Sequence, residues 1–277
     1  MTLEVTDAYG LNFLIPPNDK VVGRALKLFG EFALAELDLA AAYMKRSKPG
    51  ALIDVGANIG AICLPLAKGR PDWNVKAIEA HPGLADVIRR NAAQNGLSWV
   101  EVVQAAAGAA EGTIEFPCPD LSAAINLGRT GMGMRDQPMT EVAVVRLDDL
   151  APANTRLVKI DVEGMEAEVL AGAAQMLVDA KPVVIFEAND GHEESTRASV
   201  AQLLGLGYRL FWFFVPIVSL NGTRKASNLM PKKSGDMNVL ALPSGAPVLW
   251  RMPEITAPGE APPRSVGQFP YLRHYGY

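Results

Sequence analysis

Two cysteines in 277 residues, Cys63 and Cys118, are too few for a disulfide framework. Neither stands at a paired metal-ligand spacing with the three histidines, His81, His192 and His274. They read as reduced, packed thiols. No apolar run is long enough to cross a bilayer; the longest, residues 210–220, is interrupted by Pro216. Residues 1–10 carry no basic-then-apolar leader, so a cytoplasmic location is the expectation. Basic residues are not in excess either. Lys and Arg number 26 against 30 Asp and Glu, and a net charge of −4 argues against a general nucleic-acid binder.

What is present is apolar material, 49% of the chain, without a mid-chain linker, which favours one large domain. Its most informative stretch is Ala51-Leu52-Ile53-Asp54-Val55-Gly56-Ala57-Asn58-Ile59-Gly60. An apolar run ends in an acid and two spaced glycines, and the pattern then turns helical through Ile62, Leu64 and Leu66: strand, tight turn, helix. Glycines there let the backbone turn sharply and approach a ligand, while a helix start offers unpaired N–H groups. A ligand-free turn has glycines too. The second acid sharpens the reading, because strand 75–79 ends in Glu79, where nucleotide-binding units place the carboxylate that holds ribose hydroxyls. The pair favours an adenosine-type ligand.

Short strands are expected at 3–5 and 12–15, closed by Pro16-Pro17, followed by a lead-in helix over 32–45. Runs 75–79, 100–104, 157–161 and 183–187 are nearly continuous in apolar residues, as in a parallel sheet covered on both faces. Between them the spacing predicts one helix through Leu84, Val87, Ile88 and Ala92, and one through Met165, Val169, Leu170, Ala173 and Leu177. The architecture is doubly wound α/β with helices on both faces. Strands at 113–116 and 141–147 flank a Gly-, Met- and Pro-rich excursion, 117–138, which is either a cover at the ligand edge or a plain surface loop. Strands 208–214 and 238–242 form a closing hairpin. Its polar loop carries Arg224, Lys225, Lys232 and Lys233, a clamp for an anionic acceptor or simply solvated charges. The aromatic run Tyr208 and Phe211 to Phe214 is core or an acceptor wall. The tail 244–277, with Tyr271, Tyr275 and Tyr277, wraps the body or reaches a neighbour in a homo-oligomer.

Candidate catalytic groups gather at the carboxyl ends of the later strands. Side-chain alternation puts Lys159 and Asp161 on one side, facing the crevice where doubly wound folds bind ligands. Glu187 closes the next strand, with Asn189, Asp190 and His192 just after it. Asp161, Glu187 and His192 can serve as a base, or Asp161 and Glu187 as ligands of a divalent cation such as magnesium. The bland alternative is a buried ion-pair network around Lys159, with Glu163 and Glu166 as acids at a helix start.

The run Lys159-Ile160-Asp161-Val162-Glu163-Gly164-Met165-Glu166 resembles the FkbM-type family of S-adenosylmethionine-dependent methyltransferases. So do Val169-Leu170-Ala171-Gly172-Ala173, Asp54 to Gly60, Glu79-Ala80-His81-Pro82, Asn91 to Gly96 and Arg146-Leu147-Asp148-Asp149-Leu150. Asn58, where generic class I methyltransferases often carry a third glycine, is shared with that narrower pattern. The resemblance implies a Rossmann-like sheet of seven strands, mostly parallel, with a terminal antiparallel hairpin. It divides the chain into lead-in segments 1–50, a methyltransferase core 51–243 and a tail 244–277. It implies S-adenosylmethionine as cofactor. Asp54, Gly56, Ala57, Asn58 and Gly60 would lie under the methionine part, Glu79 on the ribose, and Ala80, His81, Ala105 and Ala106 around the adenine. It further implies O-methylation of a hydroxyl on a small molecule, sugar or glycan, or secondary metabolite. A nicotinamide-dinucleotide oxidoreductase is the first rival, although 56–60 lacks the full dinucleotide fingerprint. The second is a cofactor-binding module without catalysis.

Overall fold

The computed structural model describes residues 2–131, 134, 136–188, 191–222 and 234–277. The chain opens with a hairpin, β1 (Glu4–Ala8) against β2 (Leu11–Ile15), which turns at Tyr9 and Gly10, both at positive φ. Helices α1 (Val22–Phe29) and α2 (Leu34–Arg46) follow; the first has no counterpart in the sequence reading. Then come β3 (Ala51–Val55), α3 (Cys63–Gly69), β4 (Asn74–Glu79), α4 (Pro82–Gln94) and β5 (Val100–Gln104). The short β6 (Ala106–Ala107) joins β8 (Met139–Val145) and β7 (Gly112–Pro117) in a separate small sheet, order β6-β8-β7. The rest is α5 (Leu147–Leu150), β9 (Thr155–Ile160), α6 (Glu166–Ala171), α7 (Ala174–Asp179), β10 (Val183–Glu187), α8 (Glu193–Gly205), β11 (Arg209–Pro216), β12 (Gly235–Leu242) and β13 (Glu254–Ile255).

The large sheet runs β13-β11-β12-β10-β9-β3-β4-β5. Strands β5, β4, β3, β9 and β10 are parallel, and β12, β11 and β13 add antiparallel pairs. Every residue of β3 and β10 is buried, which is why these runs carry no polar alternation. The order reverses beside β3, whose neighbours are β4 and β9, and the crevice at such a reversal is where open α/β sheets take ligands.

Two expectations need correction. Among the described residues the large sheet has eight strands, not seven, because the tail returns to the exposed edge of β11 and pairs Leu210 with Ile255 and Phe211 with Glu254. The single helix through 165–177 is two. At the break, a Cβ on Gly172 would lie 2.0 Å from the Gly108 carbonyl oxygen, so the chain passes against that loop and restarts. The second helix is capped by Asp148, whose two oxygens accept from the Gln175 and Met176 N–H groups at 3.1 and 2.9 Å.

Tyr208, Phe211, Trp212 and Phe213 are buried in the main core. The tail covers its own chain: Trp250 stacks on Tyr271 with centroids 4.9 Å apart, and the Tyr275 hydroxyl donates to Asp38 at 2.8 Å. Arg224, Lys225, Lys232, Lys233, Asn189 and Asp190 lie outside the described residues.

Candidate active site

The floor of the site is the turn after β3. Gly56 has φ +76°, and a Cβ there would sit 1.8 Å from the Asp161 carbonyl oxygen, so the residue must be glycine for β3 and β9 to end side by side. The Gly56 and Ala57 N–H groups donate to the Ile78 carbonyl at 2.9 and 3.1 Å, tying the turn to β4. Asn58 has φ +55°, a conformation asparagine tolerates better than most residues, and this is how it replaces a third glycine. A Cβ on Gly60, which has φ +83°, would lie 2.7 Å from the Leu64 side chain; the residue shapes the turn and lines neither cavity of the site.

From that turn the Asn58 N–H donates to one Glu79 oxygen at 2.8 Å, and the His81 N–H donates to the other at 2.8 Å. One donor per oxygen leaves each oxygen an accepting lone pair, the requirement for gripping a vicinal diol. Burial pushes the Glu79 pKa up to about 7, against the pull of those two N–H groups. His81 departs from expectation. Its ring caps α4, Nδ1 accepting from Gly83 and Leu84 at 3.1 and 3.4 Å, so Nε2 carries the proton toward the Pro119 carbonyl 2.9 Å away. Among the described residues it lines neither cavity at the site.

The two cavities meet at Gly56, Asn58, Gly128 and Asp161. The smaller, about 50 Å³, is lined by Glu79, Ala80, Ala105, Ala106, Ile114, Phe116, Leu127 and Thr130 among others. The larger, about 400 Å³, is lined by Asp54, Ala57, Lys159, Glu163, Glu187, Arg129 and Asp236 among others. The sequence thus brings Lys159, Asp161 and Glu187 together as alternation and strand ends required. His192 stays outside, its Nε2 3.6 Å from a Glu163 oxygen.

Charge in the larger cavity is crowded. Buried Lys159 places Nζ 3.1 Å from Asp161 and 3.5 Å from Asp54. Burial works against its positive charge, but Asp161, Asp54 and Glu36 outweigh burial and raise its pKa. Oxygens of Asp161, Glu163 and Glu187 all lie within 4.8 Å of one another. Three carboxylates that close do not all ionise. Burial first, and the neighbouring acids second, push both Glu163 and Glu187 well above the usual carboxylate range. The cluster therefore holds protons near neutrality and can both accept and donate hydrogen bonds.

Glu163 and Glu166 part company here. Glu166 is buried and structural, accepting from the Gly164 N–H at 3.1 Å and from the Ser195 hydroxyl at 3.0 Å. Glu163, expected as another helix-start acid, instead sits at φ +52° and faces the cavity. Sequence reasoning also missed Asp236, Arg129 and Asn126. An acid at the mouth of the apolar run 238–242 was the signal for Asp236; nothing marks the other two.

This fold, a glycine turn after the central strand with an acid ending the next, and a polar cavity beside both define a methyltransferase of the class I type. The chain belongs to the FkbM methyltransferase domain family, whose profile matches residues 54–210. It is an S-adenosylmethionine-dependent methyltransferase. Among solved structures it is similar to precorrin-6y C5,15-methyltransferase from Geobacter metallireducens, with 15% identity over 75% of this chain and 87% of that one and a TM-score of 0.47. It is similar to the FkbM methyltransferase from Methylobacillus flagellatus, with 17% identity over 69% of this chain and 43% of that one, TM-score 0.47. A third likeness is the Bacillus cereus O-methyltransferase in complex with S-adenosylhomocysteine, with 14% identity over 75% and 80% of the two chains, TM-score 0.46. No curated protein matches the chain. Among the described residues no helix is long and apolar enough to cross a membrane.

Proposed function

We propose that the chain moves the methyl group of S-adenosylmethionine to a hydroxyl oxygen of a small molecule, sugar or glycan, or secondary metabolite. The observation that carries this reading is the junction of the two cavities: a carboxylate with free lone pairs ends one, and an acid cluster around Lys159 ends the other. The ribose binds Glu79, the adenine lies by Ala80, Ala105 and Ala106, and the methionine part crosses the Asp54 to Gly60 turn. The acceptor occupies the larger cavity. Methyl transfer is an in-line displacement that needs alignment and removal of the hydroxyl proton. Asp161, oriented by Lys159, is the base in this reading; Glu187 keeps its proton and donates to the acceptor, and His192 serves through Glu163. Residues 51–243 carry this activity, with 1–50 and 244–277 as flanking cover, in a cytoplasmic protein.

Magnesium fits less well. The donors are hard oxygens, but the Lys159 ammonium already stands 3.1 Å from Asp161, where a cation would be held by Asp161 and Glu187. We keep the metal as one arm of the test. Isothermal titration with S-adenosylhomocysteine is expected to give micromolar binding, unchanged by EDTA, with NAD as the negative control. A panel of sugars, phenols and amines, read by S-adenosylhomocysteine release, is expected to show turnover with hydroxyl acceptors. Tighter binding of NAD would favour the oxidoreductase; binding without turnover would favour the non-catalytic module; loss of turnover in EDTA would restore the metal.

A further inference from the structure

The loop between β2 and α1 and the segment 121–130 approach each other over the cofactor site, and one buried side chain joins them. Asp19 is 5% exposed. Its Oδ2 accepts from the Gly23 N–H at 2.5 Å, and its Oδ1 accepts from the N–H groups of Val21 and Leu127, both at 3.3 Å. One carboxylate therefore caps α1 and grips the opposite segment. Two further contacts run alongside: the Lys20 N–H donates to the Ile125 carbonyl at 2.9 Å, and the Asn18 amide to the Ser122 carbonyl at 2.8 Å. Burial raises the Asp19 pKa, while the backbone donors oppose that shift.

What this clasp closes is the cofactor site. Val21 and Val22 on one side and Asn126, Gly128 and Arg129 on the other line the larger cavity. Leu127, Gly128 and Thr130 roof the smaller. Its lower wall, Glu79, Ala80 and Ala105, is fixed at the ends of sheet strands. A nucleoside seated against that wall is covered by Leu127, Gly128 and Thr130, so these residues have to move aside for it to enter or leave.

We propose that Asp19 latches this roof: residues 121–130 lift for S-adenosylmethionine to enter and S-adenosylhomocysteine to leave, and the Asp19 carboxylate pins them down in between. The proposal rests on the cofactor assignment above. Asp19 is a positioning residue, since it acts through the roof and touches neither cavity lining group of the sheet. A gate differs from a lost ligand contact in its kinetics. Weakening a gate speeds entry and exit together and leaves the equilibrium nearly unmoved, whereas losing a contact speeds exit alone.

The test is association and release of tritiated S-adenosylhomocysteine by rapid filtration, with amide exchange of 121–130, in wild type, Asp19→Asn and Asn18→Ala. For Asp19→Asn, release and association are each expected to rise about tenfold with Kd within about threefold, the size of one charged hydrogen bond. Asn18→Ala, at an exposed contact, is expected to raise both about twofold. Exchange in 121–130 should rise in both variants while the rest of the chain matches wild type. Unchanged rates and exchange overturn the latch. So does faster release with unchanged association, which would make the effect a lost contact. If Asp19→Asn fails to fold, unaltered kinetics in Asn18→Ala overturns it. Wild-type protein that binds no S-adenosylhomocysteine would instead sink the cofactor assignment, and exchange in 121–130 would then decide the clasp by itself.

Discussion

The two cavities are built from the same residue type by opposite means. In the smaller one Glu79 is held by backbone: each oxygen takes one N–H from a turn that the sheet has already fixed. In the larger one Glu163, Glu187 and Asp161 are held against one another, with Lys159 as the nearby buried cation. The first arrangement keeps a carboxylate oriented to accept. The second keeps protons in the cluster. Backbone donors suit binding, whose geometry stays constant, and crowded acids suit the proton transfer proposed above for the larger cavity.

The contrast is most easily broken at Lys159. Asp54 is fully buried beside it, so Lys159→Met leaves an uncompensated charge. The expected cost is about 3–5 kcal/mol, a fall in melting temperature of roughly 6–20 °C by calorimetry for a chain of this size. A drop of a degree or two would mean the cluster does not depend on its cation. Next is Glu79→Gln, which replaces the backbone-held acceptor by a group that also donates. S-adenosylhomocysteine affinity by titration calorimetry should weaken about 10- to 100-fold, from the loss of charged hydrogen bonds, and because the Gln NH2 then faces one of the two backbone N–H groups, melting should fall by roughly 2–12 °C.

The acid cluster has a pH signature of its own. Glu187 has its folded pKa raised above the ordinary 4.5, so the native state binds more protons than the unfolded state at pH values above about 4.5. That contribution to stability is complete below the unfolded pKa and is lost as pH rises toward the folded one, by at most about 1.4 kcal/mol per pH unit. Urea denaturation at pH 5, 6.5 and 8 is expected to show Glu187→Gln close to wild type at pH 5 and gaining on it as pH rises. Parallel profiles would mean the burden lies elsewhere in the cluster. The smallest effect is expected at His81. His81→Ala removes a helix cap worth about 1 kcal/mol, visible in chemical denaturation, and should leave S-adenosylhomocysteine affinity within about twofold. A large affinity loss would return the ring to the adenine wall.

Much of this frame was readable in advance, and the misses share a cause. β4 and β10 lie where the continuous apolar runs put them, because strands with mostly buried residues need such runs; β5 lies where its run put it too, although as the edge strand it is only partly covered. α1 was missed because it begins at Val21-Val22-Gly23, a poor helix start, and takes its cap from Asp19 two residues earlier. β13 is two residues long and owes its existence to the open edge of β11. The break at Gly172 depends on Gly108, 64 positions away (172 − 108).

At the site the same line divides local from distant causes. The sequence by itself determined the glycine turn, Glu79 at the end of its strand and the shared side of Lys159 and Asp161, since each follows from strand alternation or turn stereochemistry within a few residues. Only the tertiary structure decided that His81 caps a helix, that Glu163 turns into the cavity at φ +52°, and that Asp236 and Arg129 reach the same cavity from far along the chain. Those placements depend on which elements pack together, and packing is a property of the whole core.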